Sequence, residues 1–120
     1  MHSIAAVECD VAILGGGPGG YTAAIRAAQL GAKVVCIERE AELGGTCLRV
    51  GCVPTKAWVQ TAHSLHAARH TFGKVGVSVG EPTLDFGAAN AWKATVVKQM
   101  TQGVASLFKA NGVEWVKGSG

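Results

Sequence analysis

A chain of 120 residues that is 48% apolar and only 16% charged has the size and makeup of a single globular domain with a modest core. Its net charge of +3 is dispersed and leaves no electrostatic footprint for nucleic acid, and no apolar run approaches the ~20 residues needed to cross a bilayer. The opening stretch MHSIAAVECD has acids where a secretory signal needs basic residues. A reducing compartment is therefore expected, either the cytoplasm or, in a eukaryote, the mitochondrial matrix. There a cysteine pair serves catalysis or metal binding more readily than it serves as a staple.

Glycine is overrepresented, 17 of 120 against a usual share of roughly 7%. The glycines cluster at 15–20 and 44–51, so they mark special backbone and not a low-complexity tract. VAIL (11–14) reads as a strand buried on both faces, GGGPGG as a turn, YTAAIRAAQL (21–30) as a helix stopped by Gly31, and VVCIE (34–38) as a second buried strand. Strand, helix and strand in this order imply a right-handed crossover in a parallel sheet. Gly15, Gly17 and Gly20 satisfy G-x-G-x-x-G. In that pattern the first glycine permits the tight turn, the second admits a pyrophosphate, and the third lets the helix pack closely on the strand. The helix amino terminus offers free N–H groups and positive dipole to phosphates, and Glu38 is placed to accept hydrogen bonds from a ribose diol. The segment resembles the FAD-binding fingerprint of the flavoproteins built on two dinucleotide domains; NAD is its second reading.

Residues 44–56 read GGTCLRVGCVPTK, with four residues between Cys47 and Cys52. A zinc site would need two further ligands at suitable spacing. Cys9 and Cys36 lie before and within predicted strands and read as buried, inert thiols, while His63, His66 and His70 read as a solvated helix face. A structural disulfide here would contribute only about 2 kcal/mol by loop closure. A regular helix would also separate the two cysteines by ~7.5 Å along its axis, beyond the ~7 Å that a disulfide spans. The segment must therefore be distorted, which Gly51 makes easy and Pro54 enforces by removing the N–H that would bond to Val50. A short strained loop of this kind suits reversible redox chemistry.

This stretch resembles the active-site signature GGTC-x4-GC-x-P-x-K of the class I pyridine nucleotide–disulfide oxidoreductases. The resemblance implies an α/β fold, a Rossmann-like FAD-binding parallel sheet with helices. It also implies that Cys47, at the mouth of the site, exchanges disulfides with substrate. Cys52 would lie against the flavin as the charge-transfer thiolate, and Lys56 near flavin N5, favouring the reduced ring. The FAD contacts it implies are Gly15, Gly17, Pro18, Gly19, Gly20, Glu38, Arg39, Gly45, Thr46, Cys47, Cys52 and Lys56, with Gly120 at the adenine end.

Beyond the cysteines, AWVQTAHSLHAARHTFGKVGV continues as a helix with Trp58, Ala62, Leu65 and Ala68 as its buried stripe. GVSVGEPTLD reads as a loop with one short strand. A second helix is predicted from Phe86 to Ala110, with Val97, Met100, Val104 and Leu107 as core, and VEWVKG as a third strand. The run from Asn90 onward is similar to the dihydrolipoamide dehydrogenase branch of that family.

The function that follows from the resemblance is a homodimeric oxidoreductase. It would carry electrons from dihydrolipoyl groups of 2-oxoacid dehydrogenase complexes, or of the glycine cleavage system, through Cys47 and Cys52 and FAD to NAD+. The alternatives are an NADPH-dependent glutathione or mercuric reductase, and a flavin-binding module whose thiol pair turns nothing over. Members of the family are much longer, so residues 1–120 are expected to be the amino-terminal part of the FAD domain. The NAD and interface domains would then lie outside them, and the segment alone would be inactive.

Overall fold

The structure is a computed structural model and describes residues 6–120. The strands are β1 (Val11–Leu14) and β2 (Val34–Glu38), both from short apolar runs, and β3 (Glu114–Lys117), where Trp115 and Val116 stand between two charged residues. The helices are α1 (Pro18–Gln29), α2 (Gly45–Arg49), α3 (Cys52–His70) and α4 (Phe86–Asn111), with a 3-10 turn at Phe72–Val75. The chain divides into two compact units, one comprising residues up to Gly45 with Thr101–Gly120, the other Thr46–Met100.

In the first unit the strands form one parallel sheet in the order β1-β2-β3. Val11 pairs with Val34 and Leu14 with Ile37, while Val35 pairs with Glu114 and Glu38 with Lys117. The central strand β2 is buried along its length apart from a half-buried Ile37, as a strand covered on both faces should be. β1 departs from the sequence reading. It alternates half-buried and exposed residues, with Leu14 67% exposed, because it is an edge of this sheet. Helix α1 begins with Pro18 at its first position, where the missing N–H costs nothing, and ends at Gly31, whose φ of +93° is left-handed.

In the second unit α3 begins at Cys52 itself and stops at His70; the 3-10 turn then ends on Gly76 at φ +82°. Residues 77–85 contain no strand, contrary to the sequence reading, and Val77 and Val79 are exposed. Asp85 starts α4 by accepting the Ala88 N–H at 2.9 Å on its carboxylate.

The apolar stripes differ from the expected ones. On α3 the buried residues are Pro54 and Ala57, whereas Trp58 is exposed, 6.4 Å from the Phe86 ring and with the Lys93 ammonium 5.0 Å from its centroid. On α4 the buried residues are Thr101, Val104 and Phe108, while Met100 and Leu107 are exposed. Val104 is buried as expected, but Met100 and Leu107 give way to their neighbours Thr101 and Phe108; within the first unit Thr101 and Ala105 line a small cavity with Leu43 and Trp115. Among the described residues no helix is long and apolar enough to cross a membrane.

Candidate functional site

Gly15 opens the glycine turn at φ +98°, and its N–H donates to the Ile37 carbonyl at 2.8 Å, tying the turn to the end of β2. Gly20 is required by space. A Cβ there would stand 1.8 Å from the Gly15 carbonyl oxygen and 3.3 Å from Ile13 on β1. At Gly15 and Gly19 a Cβ would meet nothing, so the backbone beside them faces open space. Gly17 caps α1 without any side-chain hydrogen bond, and the first turn holds no acid. The N–H groups and dipole at this helix end are left without a side-chain partner, which is the donor set a dinucleotide pyrophosphate requires.

The glycines before the cysteines are part of this same construction. Gly44 donates its N–H to the Gly16 carbonyl at 2.8 Å, and Gly45, at φ +61°, lies so close that a Cβ on it would come within 2.7 Å of the Gly17 Cα. Glu38 is 8% exposed and accepts two backbone N–H groups, Gly16 at 2.7 Å on one oxygen and Glu40 at 2.9 Å on the other. Sequence reading missed Gly16, which is buried and whose Cβ would strike Leu43. Its only signal was its place between two fingerprint glycines.

The other expected contacts fall around this end of the sheet. Gly118 donates to the Glu38 carbonyl at 3.0 Å, and a Cβ on Gly120 would overlap the Leu14 side chain at the carboxyl end of β1. Pro18 and Gly19 are exposed on the first turn of α1. Arg39 points into solvent, with a loose 3.7 Å pairing to Glu40. Cys36 is fully buried in β2 and directs its thiol at the Gly15 carbonyl at 3.8 Å; burial, then the nearby Glu38 charge, pushes its pKa up. That matches the reading of an inert thiol, whereas Cys9 is half-buried only.

In the second unit the cysteines straddle a helix break. Cys47 lies in α2 and Cys52 is the first residue of α3, with Val50 and Gly51 non-helical between them. The break is set at Gly51 (φ −118°, ψ −103°), where a Cβ would press to 3.0 Å against the Thr46 carbonyl oxygen. Pro54 is buried in the first turn of α3, where a missing N–H needs no partner, so it suits a new helix at Cys52 but not a continuation from α2. Thr46, on α2, is exposed, and Lys56 stands one turn beyond Cys52 on α3.

Both sulfurs are thiols here, and they interact. A hydrogen bond from the Cys47 thiol to Cys52 raises the Cys47 pKa, as do desolvation and the Coulomb effect of Cys52; the Cys52 backbone N–H and the Lys56 charge act the other way. Access does not follow expectation, because Cys47 is half-buried and Cys52 exposed. Exposure therefore does not identify Cys47 as the entry point for substrate.

Comparison with known proteins bears on all of these features together. The family model described as pyridine nucleotide-disulphide oxidoreductase matches residues 9–120. Dihydrolipoyl dehydrogenase 2, mitochondrial, of Arabidopsis thaliana is 55% identical over 92% of this chain, and dihydrolipoyl dehydrogenase, mitochondrial, of Pisum sativum is 51% identical over 94%. Leghemoglobin reductase of Vigna unguiculata is 48% identical over 94%. The chain spans 22–23% of the length of these relatives. A match that begins just before β1 and runs through the glycine turn and the cysteine pair to Gly120 leaves one conclusion: the chain belongs to the pyridine nucleotide-disulphide oxidoreductase family.

Proposed function

We propose that this chain is the amino-terminal FAD and dithiol segment of a dihydrolipoyl dehydrogenase. The observation that carries the reading is the thiol pair held across the α2–α3 break, with Cys47 hydrogen-bonded to Cys52 and the Lys56 charge acting on it. The names of the Arabidopsis and pea relatives supply the substrate class and favour a mitochondrial over a cytoplasmic location. By the same route the partners are lipoyl-bearing 2-oxoacid dehydrogenase complexes, and the active form is a homodimer.

The chemistry assigned to the chain's own residues is a dithiol–disulfide exchange. A thiolate of the dihydrolipoyl group attacks the Cys47 sulfur of an oxidised Cys47–Cys52 bond, and Cys52 leaves with the electron pair. The second substrate thiol then attacks the mixed disulfide and releases Cys47. The substrate has become a cyclic disulfide, and two electrons and two protons have entered the pair. Once both sulfurs are reduced, the Cys47 thiol lies within hydrogen-bonding reach of Cys52, which supports the two acting as one redox pair. Gly15, Gly17, Pro18, Gly19, Gly20, Glu38, Arg39, Gly45, Thr46 and Gly120 would hold FAD, with Lys56 set toward its redox-active ring. When bound, FAD supplies the two-electron acceptor that regenerates the disulfide, with NAD+ as final acceptor.

The test is dihydrolipoamide-dependent NAD+ reduction by the full-length protein that contains this segment. Cys47→Ser and Cys52→Ser should each lower kcat by about a thousandfold or more, as loss of a covalent participant does. Retention of activity in either variant removes the relay. NADPH-driven turnover of glutathione disulfide, with none of dihydrolipoamide, would transfer the protein to the reductase branch.

A further inference from the structure

We propose that His66 and His70 form a surface chelate for a divalent transition metal that favours nitrogen ligands and right-angled coordination, Cu2+ or Ni2+. Both residues lie on α3, four apart and therefore on one face, and both are exposed, so no packing has to be undone for a metal to enter. Their ring centroids are 4.6 Å apart, with the planes at 45°. A metal bound at roughly 2.0–2.1 Å from an imidazole nitrogen lies about 3.2 Å from the ring centre. Two such rings at right angles about one metal therefore have centres about 4.5 Å apart, and tetrahedral coordination would need about 5.2 Å. The observed spacing matches the right-angled case, the geometry of square-planar Cu2+ and Ni2+.

The surroundings permit it. Arg69, adjacent to His70, donates to the Pro82 carbonyl at 3.3 Å, so its guanidinium is engaged by backbone. Among the described residues no three His, Cys, Asp or Glu side chains group around one point. The metal would thus keep water in its other positions and bind reversibly. Because His70 is the last residue of α3, the chelate would tie down the final turn of that helix.

Ni2+ alone is the probe, titrated calorimetrically into the chain with Cys47 and Cys52 oxidised to the disulfide so that thiols do not compete. His66→Gln and His70→Gln should each weaken binding about tenfold or more, since either loss destroys the chelate's effective concentration. His63→Gln and His2→Gln should leave it within about twofold. In the unsubstituted chain, Ni2+ should selectively broaden the ring proton resonances of His66 and His70. Wild-type affinity in either His66→Gln or His70→Gln, or broadening centred on His63 or His2, overturns the assignment.

Discussion

At the scale of single residues, the cysteine pair and the glycine turn each rest on one contact that a substitution can remove. Cys47 is half-buried with its thiol pKa raised, while Cys52 is exposed. In the reduced chain without flavin, iodoacetamide should therefore label Cys52 first. Cys47 should react only as pH rises past the ordinary thiol range of about 8.5. The sign follows from the thiolate being the reactive form, since a raised pKa defers its appearance to higher pH. Mass spectrometry of partially alkylated samples across pH reads the order directly. In FAD-loaded full-length protein the order should reverse if the flavin covers Cys52. At the glycine turn, Gly20→Ala would set a methyl 1.8 Å from a backbone oxygen, and backbone cannot step aside as a flexible side chain can. A loss of about 3 kcal/mol or more is expected on chemical denaturation, whereas Gly19→Ala, in open space on the same helix, should be neutral or slightly stabilising. These roles were legible in the sequence because they are local: the spacing of Gly15, Gly17 and Gly20 specifies the turn, and the spacing of Cys47, Gly51 and Cys52 specifies a break. The burial order of the two sulfurs was not legible, because it depends on how α2 and α3 leave that break.

At the scale of elements, the order of strands and helices was readable, but the faces of the helices were not. Every strand of the sheet lies where short apolar runs predicted it, because such runs bounded by glycine leave little alternative. Helix α4 shows the opposite case. Its apolar residues are spread widely enough that two registers fit a helical period, Met100 with Leu107 or Thr101 with Phe108. The burial of Thr101 and Phe108, with Thr101 beside Leu43 and Trp115 around one cavity, identifies the second. The buried threonine belongs to that second face, and no hydrophobic pattern would have chosen it. Truncation separates the two registers. Phe108→Ala, at 2% exposure, should cost about 3–5 kcal/mol, whereas Leu107→Ala, at 50% exposure, should stay near 0.5 kcal/mol in the same urea titration of this chain. Equal costs would restore the register that the sequence suggested. The Trp58 stripe failed for a related reason: an aromatic at helical spacing counts as apolar in a pattern, yet here Phe86 and Lys93 hold it at the surface.

At the scale of the whole molecule, the chain holds one strand–glycine turn–helix unit among its described residues, and the proposed reaction needs two dinucleotides. In the proposed reaction the fingerprint at 15–20 is given to FAD, on the ground that Gly44 and Gly45, which lead toward Cys47, pack directly on that turn. Among the described residues no second turn of this kind occurs. The sheet reinforces the point. With β2 alone covered on both faces, the edge strands leave Leu14 67% and Trp115 37% exposed, which favours self-association of the isolated chain. The purified chain, with Cys47 and Cys52 first oxidised to the disulfide, should be reduced by dihydrolipoamide and show two additional titratable thiols, and it is then supplied with FAD and NAD+. It should nevertheless reduce no NAD+, and its sedimentation should shift with concentration. Absorbance at the NADH band decides the matter. Turnover of about 1 s⁻¹ or faster, the ordinary range for enzymes, would mean that NAD+ is received without a second glycine turn and that the division of roles proposed for this segment is wrong.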